Sequence, residues 1–239
     1  MLPARGRVCF VFVWVVLCSV IVSQRKTNNP VPSYISQMYY INLDRRPDRN
    51  THMLKNVVPL FEQKHIPYTR VRARRGAGEP CVPWKNTAHR CQGLVGIIKS
   101  NMYILETLPI IENTLILEDD WNITSLDEMN EAIHMVPRDW DIIRFDCGGT
   151  YPTSFAPKDT NGVFRTVHVR MQSHWFCGGA FAMLIRPSSI PILKQIWSQT
   201  PYDDLDCRLT STRIKSYCVN RNIMRTVKLG TDIPKHSKL

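Results

Sequence analysis

The sequence predicts an α/β fold, a single domain whose mostly parallel central sheet is flanked by helices. Short apolar runs such as Thr114–Leu117 lack polar alternation, which is typical of strands buried on both faces. These runs alternate along the chain with helix-period segments such as 94–108. With 239 residues, 44% of them hydrophobic and 21% charged, the chain is long and apolar enough for one substantial core.

The first half of the chain predicts a strand–helix repeat. Pro47 suits the first turn of a helix because its missing N–H would have no partner there. The order is a strand at Met38–Leu43, a helix from Pro47, a strand at Tyr68–Ala73, a helix over 94–108 and the strand at Thr114–Leu117.

The second half continues the alternation. Ser125 and Glu128 have capping-box spacing, which predicts a helix start. We then expect strands at Trp140–Asp146, Val163–Arg170 and Phe176–Ile185, and a helix capped by Ser188 or Ser189 that runs through Trp197.

The N-terminus predicts a targeting segment. Residues 8–22 are almost wholly apolar and are flanked by Arg and Lys, but they are short for a membrane span of about 20 residues. We expect residues 1–26 to be a signal anchor or signal peptide, 27–36 a short stem and 37–239 one domain. An uncleaved anchor gives a single-pass type II membrane protein with its domain in the lumen of the endoplasmic reticulum or Golgi, and cleavage gives a secreted one.

The cysteines agree with the secretory pathway. Two of the eight lie in the apolar segment, and the other six are Cys81, Cys91, Cys147, Cys177, Cys207 and Cys218. None of them has zinc-site spacing, so we expect disulfides, with the pairing left open. Asn122-Ile123-Thr124 is a glycosylation sequon, which fits a lumenal domain.

The net charge of +11 indicates an acidic partner: nucleic acid, a membrane surface or a phosphorylated or acidic ligand. Part of it comes from Arg70, Arg72, Arg74 and Arg75. The first three alternate with apolar residues and share one strand face, which is either solvated or directed at phosphate. The targeting segment and the sequon exclude nucleic acid as the expected partner.

Three carboxylates, Glu118, Asp119 and Asp120, directly follow the buried strand. Ligands of open α/β sheets bind outside the carboxyl ends of the strands. Adjacent carboxylates repel one another unless a cation lies among them, and an oxygen-only set favours Mg²⁺ or Mn²⁺. The alternative is a solvated acidic turn.

Several motifs resemble glycosyltransferase family 25, which includes lipooligosaccharide and procollagen galactosyltransferases. In the family's order, over about 37–210, they are Tyr40–Arg49, Leu115–Asp120, Trp140-Asp141, Cys177–Arg186 and Pro201-Tyr202-Asp203. The resemblance implies a GT-A-like nucleotide-sugar-binding domain and an inverting transfer, most often of galactose from UDP-galactose, onto a glycan or glycoprotein hydroxyl.

The resemblance also implies roles for individual residues. Asp120, supported by Glu118, would hold Mn²⁺ or Mg²⁺. Asp203 is the candidate base, with Asp204 and Asp206 as rivals, and a helix N-cap is the alternative role for all three. Asp119 is a second catalytic candidate. The donor-binding candidates are Asn42, Arg45, Arg49, Ala73, Ser100 and Glu118.

One departure from the family concerns Asn101. The family carries Ser-His where this chain has Ser100-Asn101, and Asn cannot exchange a proton near neutral pH. We therefore carry two hypotheses, a metal-dependent galactosyltransferase and a non-catalytic binding or adhesion module that keeps the fold. The intact acidic motif favours the enzyme.

Overall fold

The structure is a computed structural model that describes residues 34–76, 78, 88–145, 163–165, 182–199, 209, 213–219, 223–227 and 229. The predicted anchor and most of the predicted stem lie outside these residues. No helix in these described ranges combines the length and apolar character that a membrane span needs.

A seven-stranded sheet forms the centre of the domain. Its strands are β1 (Gln37–Asn42), β2 (Tyr68–Arg72), β3 (Thr114–Glu118), β5 (Ile142–Phe145), β6 (Val163–Arg165), β7 (Ala182–Ile185) and β8 (Ser216–Val219). They lie in the order β2-β1-β3-β7-β5-β8-β6. A separate two-stranded ribbon pairs β4 (Trp121–Ile123) with β9 (Met224–Thr226).

The sheet is mixed, with most strands in one direction. β1 pairs in parallel with β2 and β3, and β5 pairs in parallel with β8. β7 lies antiparallel between β3 and β5, and β6 lies antiparallel to β8. The predicted α/β class with a mostly parallel sheet is therefore confirmed, since only β6 and β7 run against the other strands.

Helices cover both faces of the sheet. They are α1 (Pro47–His52), α2 (Val58–Gln63), α3 (Ala88–Thr107), α4 (Leu126–Met135) and α5 (Ile190–Trp197). A π-helical turn, Met53–Val57, joins α1 to α2. Pro59 has no N–H to donate to the carbonyl one turn earlier, which explains why the helical ladder changes register here.

The core has two layers because successive side chains of a strand face opposite ways. Tyr40, Leu115 and Leu117 join the cluster under α2 and α4, whereas Tyr39 and Ile116 join the cluster under α3 and α5. The sheet is thus buried on both faces, as the apolar runs predict.

Some local predictions need correction. Ser125 caps α4 as expected, since its hydroxyl accepts from the Glu128 amide at 3.2 Å. Ser189 stands at the N-cap of α5, but its hydroxyl donates to the Arg186 carbonyl at 2.6 Å and does not cap the helix. Ile35 is buried and the Ser36 amide bonds the Asn113 carbonyl, so the end of the predicted stem packs with the domain.

Candidate functional site

The candidate site lies at the carboxyl edge of three parallel strands. β1 ends at Asn42, β2 ends at Arg72 and β3 ends at Glu118. Asn42 lies opposite Arg72, and Ile41 lies opposite Glu118. Residues that follow these strands therefore meet at one edge, which is where the sequence places the chemistry.

Asp119 is almost fully enclosed, with 5% of its surface exposed. Its Oδ2 accepts a hydrogen bond from Asn42 Nδ2 at 2.6 Å. Its Oδ1 accepts one from Arg49 Nη1 at 2.9 Å. Because both oxygens are engaged, this geometry favours a role in holding the acidic loop, and the predicted catalytic role of Asp119 stays a prediction.

Asp120 differs from Asp119 in the surroundings of one carboxylate oxygen. Its Oδ2 lies 3.0 Å from Arg49 Nη1, whereas its Oδ1 is buried and has no hydrogen-bond partner among the residues that the structure describes. Burial raises the pKa of Asp120, the charge of Arg49 opposes that shift, and the charge of Asp119 adds to it. A buried carboxylate oxygen without a donor is costly unless a ligand or ion satisfies it.

One guanidinium therefore serves two carboxylates. Arg49 pairs with both Asp119 and Asp120, so one guanidinium charge is shared between two carboxylates. The Oδ1 of Asp120, which no described residue bonds, fits a hard cation, which prefers carboxylate oxygen. Glu118, partly exposed at the end of β3, is the second predicted ligand.

The described residues do not supply a complete ligand set. Among them, no group of three His, Cys, Asp or Glu side chains could hold a metal ion. Mg²⁺ and related ions, however, usually take only one or two carboxylates and fill their other positions with water and substrate phosphate oxygens. The metal site at Asp120 and Glu118 therefore stays a prediction.

Asn42 organises the residues around the acidic loop. It is 1% exposed; its Nδ2 donates to Asp119 and to the Arg46 carbonyl, and its Oδ1 accepts from Arg70 Nε at 2.8 Å. Its backbone carbonyl accepts from the Ala73 amide at 3.0 Å. The structure thus gives Asn42 and Ala73 a scaffold role, while donor contact by either residue stays a prediction.

The other donor-binding candidates are spread around the site. Arg49 lies in it, whereas Arg45 is exposed at the turn after β1. Ser100 is fully buried on α3, where its hydroxyl accepts from the Arg74 amide at 2.8 Å and donates to the Gly96 carbonyl at 2.6 Å. Ser100 therefore ties the segment after β2 to α3. Asn101 is also buried, and its Nδ2 donates to the Ile97 carbonyl at 3.0 Å.

The candidate base lies outside the described residues, together with its rivals Asp204 and Asp206. The predicted role of Asp203 therefore stays a prediction.

The sequence missed the contribution of the C-terminal part of the chain. The Val227 amide donates to the Asp120 carbonyl at 2.8 Å, and Arg46 Nη2 donates to the Leu229 carbonyl. Arg46 also forms a two-point ion pair with Asp48. The sequence pattern does not predict the contacts of Val227 and Leu229, which are far along the chain from Asp120 and Arg46. The local ion pair between Arg46 and Asp48, two positions apart, could have been predicted from their spacing.

Comparisons with known proteins add little to this geometry. No protein-family model and no curated protein matches the chain. A solved structure of a glycosyltransferase involved in the glycosylation of the major capsid of PBCV-1 is similar over 77% of this chain and 80% of its own, with 9% identity and a TM-score of 0.44. At that identity the similarity concerns the fold alone, and at that TM-score it decides neither family nor activity.

Proposed function

We propose that this chain is a metal-dependent, inverting glycosyltransferase that transfers a hexose, galactose from UDP-galactose, to a glycan or glycoprotein hydroxyl in the endoplasmic reticulum or Golgi. The proposal rests on the family 25 motifs, which occur in order along the chain. The observation that carries it is the buried Oδ1 of Asp120 at the carboxyl edge of β3, which has no hydrogen-bond partner among the described residues.

The chemistry assigns distinct tasks to the residues of the site. A Mn²⁺ or Mg²⁺ ion held by Asp120 and Glu118 would neutralise charge on the leaving diphosphate. Asn42 and Arg49 hold Asp119, and through the loop they fix where Asp120 points. Such fixed positioning matters because a misplaced group forfeits much of the rate.

The acceptor side needs a base, and Asp203 is the proposed one. A hydroxyl is a weak nucleophile until a positioned group removes its proton. In an inverting transfer one carboxylate on the acceptor side performs that step. The Asp119 carboxylate is the less suitable base, because both of its oxygens already accept hydrogen bonds.

A binding module without catalysis is the second candidate, and one observation favours it. Arg49 already pairs with both aspartates, which lowers the need for a metal ion at this edge. Asn101 agrees with this alternative, since its amide donates within its own helix and an amide cannot act as a general acid or base near neutral pH.

A donor screen separates the two candidates. The purified full-length chain is incubated with a panel of UDP-sugars and acceptors, with Mn²⁺ and with excess EDTA, and both sugar transfer and UDP release are measured. The enzyme hypothesis expects transfer that EDTA abolishes. Donor binding without transfer to any acceptor would favour the binding module, and absence of donor binding would contradict the enzyme hypothesis.

A further inference from the structure

A cavity lies apart from the acidic site. It measures about 480 Å³ and lies between the segment after β2, the outer face of α3 and the end of α5. None of Asn42, Asp119 and Asp120 lines it. Pockets of this volume hold ligands of small-molecule size, such as one or two sugar units.

The walls of this cavity are basic. Arg74, Arg75 and Lys99 line it, against a single carboxylate from Glu106. The arginines of this region fall into two groups: Arg70 and Arg72 both pair with Asp44, at 2.7 and 2.6 Å. In the part of the chain that the structure describes, neither Arg74 nor Arg75 pairs with a carboxylate.

The cavity offers some aliphatic surface but no open aromatic face. Met102, which is partly exposed, contributes apolar surface, whereas Ile98 is fully buried. The Arg74 guanidinium lies 3.7 Å from the centre of the Tyr103 ring and covers that face, and Trp197 is fully buried. A nucleobase usually binds by stacking on an aromatic face, so these walls fit a saturated ring better.

We propose that this cavity binds an acidic saccharide unit, one that carries a carboxylate or sulfate group. Arg74, Arg75 and Lys99 contact the oxyanion, since guanidinium groups match its geometry with paired donors. The C–H face of the sugar ring packs on Met102, the partly exposed apolar residue of these walls. The inference concerns binding alone and holds whether or not the acidic site transfers a sugar.

Calorimetry on the purified full-length chain tests the proposal with four probes: a uronate disaccharide, a sulfated disaccharide, a neutral disaccharide and ATP. An acidic disaccharide should bind at least about tenfold more tightly than the neutral one, and salt should weaken that binding. Binding of only one acidic probe would identify the anionic group. Equal binding of the neutral disaccharide, or tighter binding of ATP, would overturn the proposal.

A matched pair of double variants locates the site. Arg75→Gln/Lys99→Gln should weaken binding of the acidic disaccharide at least about tenfold, because two contacts to the anion are lost. Lys55→Gln/Arg138→Gln removes the same charge from exposed positions outside the cavity and should leave the affinity unchanged. An equal loss in both pairs would mean that net charge, and not this cavity, attracts the ligand.

A third variant should change the affinity for the acidic disaccharide in the opposite direction, and its result can be interpreted without the double variants. Glu106 is an exposed helix residue whose carboxylate repels an anion in the cavity. Glu106→Gln should therefore tighten binding of the acidic disaccharide several-fold. Unchanged or weaker binding by this variant, with native circular dichroism, would contradict the assignment.

Discussion

Asp120 is the residue whose surroundings differ most from what a solvated turn would provide. A solvated carboxylate has water on both oxygens, but here Oδ1 is buried and Oδ2 shares Arg49 with Asp119. Burial raises the pKa of Asp120, so the ionised form carries a cost in the folded chain. A buried charge of this kind is most readily tolerated where a bound ligand or ion compensates for the lost solvation.

Removing that charge gives the first prediction. Asp120→Asn keeps the shape of the side chain but should lower sugar transfer by roughly 10²-fold or more, because a metal ligand is lost. Mn²⁺ should raise the melting temperature of the native chain and not that of the variant. Asp127→Asn, which removes an exposed carboxylate elsewhere, serves as the control and should behave like the native chain. Full transfer by Asp120→Asn would remove the metal hypothesis.

Asp203 carries the second prediction at the residue scale. If Asp203 is the base, Asp203→Asn should lower transfer by about 10²- to 10⁴-fold while UDP-sugar affinity is kept. If it is a helix cap, the change should cost little, because Asn caps as well as Asp. Transfer and donor affinity are measured on one protein preparation. Undiminished transfer would exclude Asp203 and direct attention to Asp204 and Asp119.

The sequence predicted the location of the site better than its internal contacts. Asn42 and Asp119 follow neighbouring parallel strands, so their meeting at one edge follows from the strand pattern alone. The sharing of Arg49 between two aspartates does not, because it depends on how α1 folds back over the edge. Sequence spacing holds no information on such a contact between side chains 70 positions apart.

At the scale of elements, α3 and the segment after β2 pack unusually closely. A Cβ added at Gly96 would lie 2.8 Å from the Arg74 carbonyl oxygen, and one added at Gly76 would lie 2.1 Å from the Gln92 carbonyl oxygen. Ser100 strengthens the same contact through the Arg74 amide. This packing holds Ala73 against β1 and so connects α3 to the acidic site.

A pair of substitutions on α3 tests that packing. Gly96→Ala should lower the free energy of unfolding by about 1–3 kcal/mol, the usual cost of overpacking, partly offset by better helix propensity. Gly93→Ala has open space around its Cβ and should raise the same free energy by about 0.5–1 kcal/mol. Urea denaturation measures both. Stabilisation by both variants would show that the contact with Arg74 is loose.

Asp48 connects α1 to the C-terminal segment through Arg46, which bonds both Asp48 and the Leu229 carbonyl. The hydrogen bond from Arg46 lowers the pKa of Asp48 from 3.8 to about 2. The stability that this pair contributes is therefore present above about pH 3.8 and is lost as the pH falls towards 2.

Asp48→Asn should unfold at a higher pH than the native chain during acid titration followed by circular dichroism. High salt should reduce the difference, since the pair is exposed; an unchanged acid midpoint at low salt would contradict this account.

For the whole molecule, the alternation of strands and helices predicted the class but not the strand order. The apolar runs cannot show that β7 lies between β3 and β5 in the opposite direction. A strand that is buried on both faces has the same apolar sequence pattern whether it is parallel or antiparallel to its neighbours. The three-residue strands β4 and β9 were also missed, since they are too short for a period to be visible. They bring the C-terminal segment to the backbone of Asp120.

The last prediction concerns the disulfides. Cys218 lies fully buried in β8 and is disulfide-bonded, so at least one bond joins two of the cysteines. A cross-link restricts the unfolded chain, so Cys218→Ala should lower the free energy of unfolding by about 2–5 kcal/mol, measured by urea denaturation. Alkylation of the native chain should label fewer thiols than alkylation after reduction and unfolding. Complete labelling of the folded chain without reductant would show that no disulfide forms and would remove the strongest reason for an oxidising compartment.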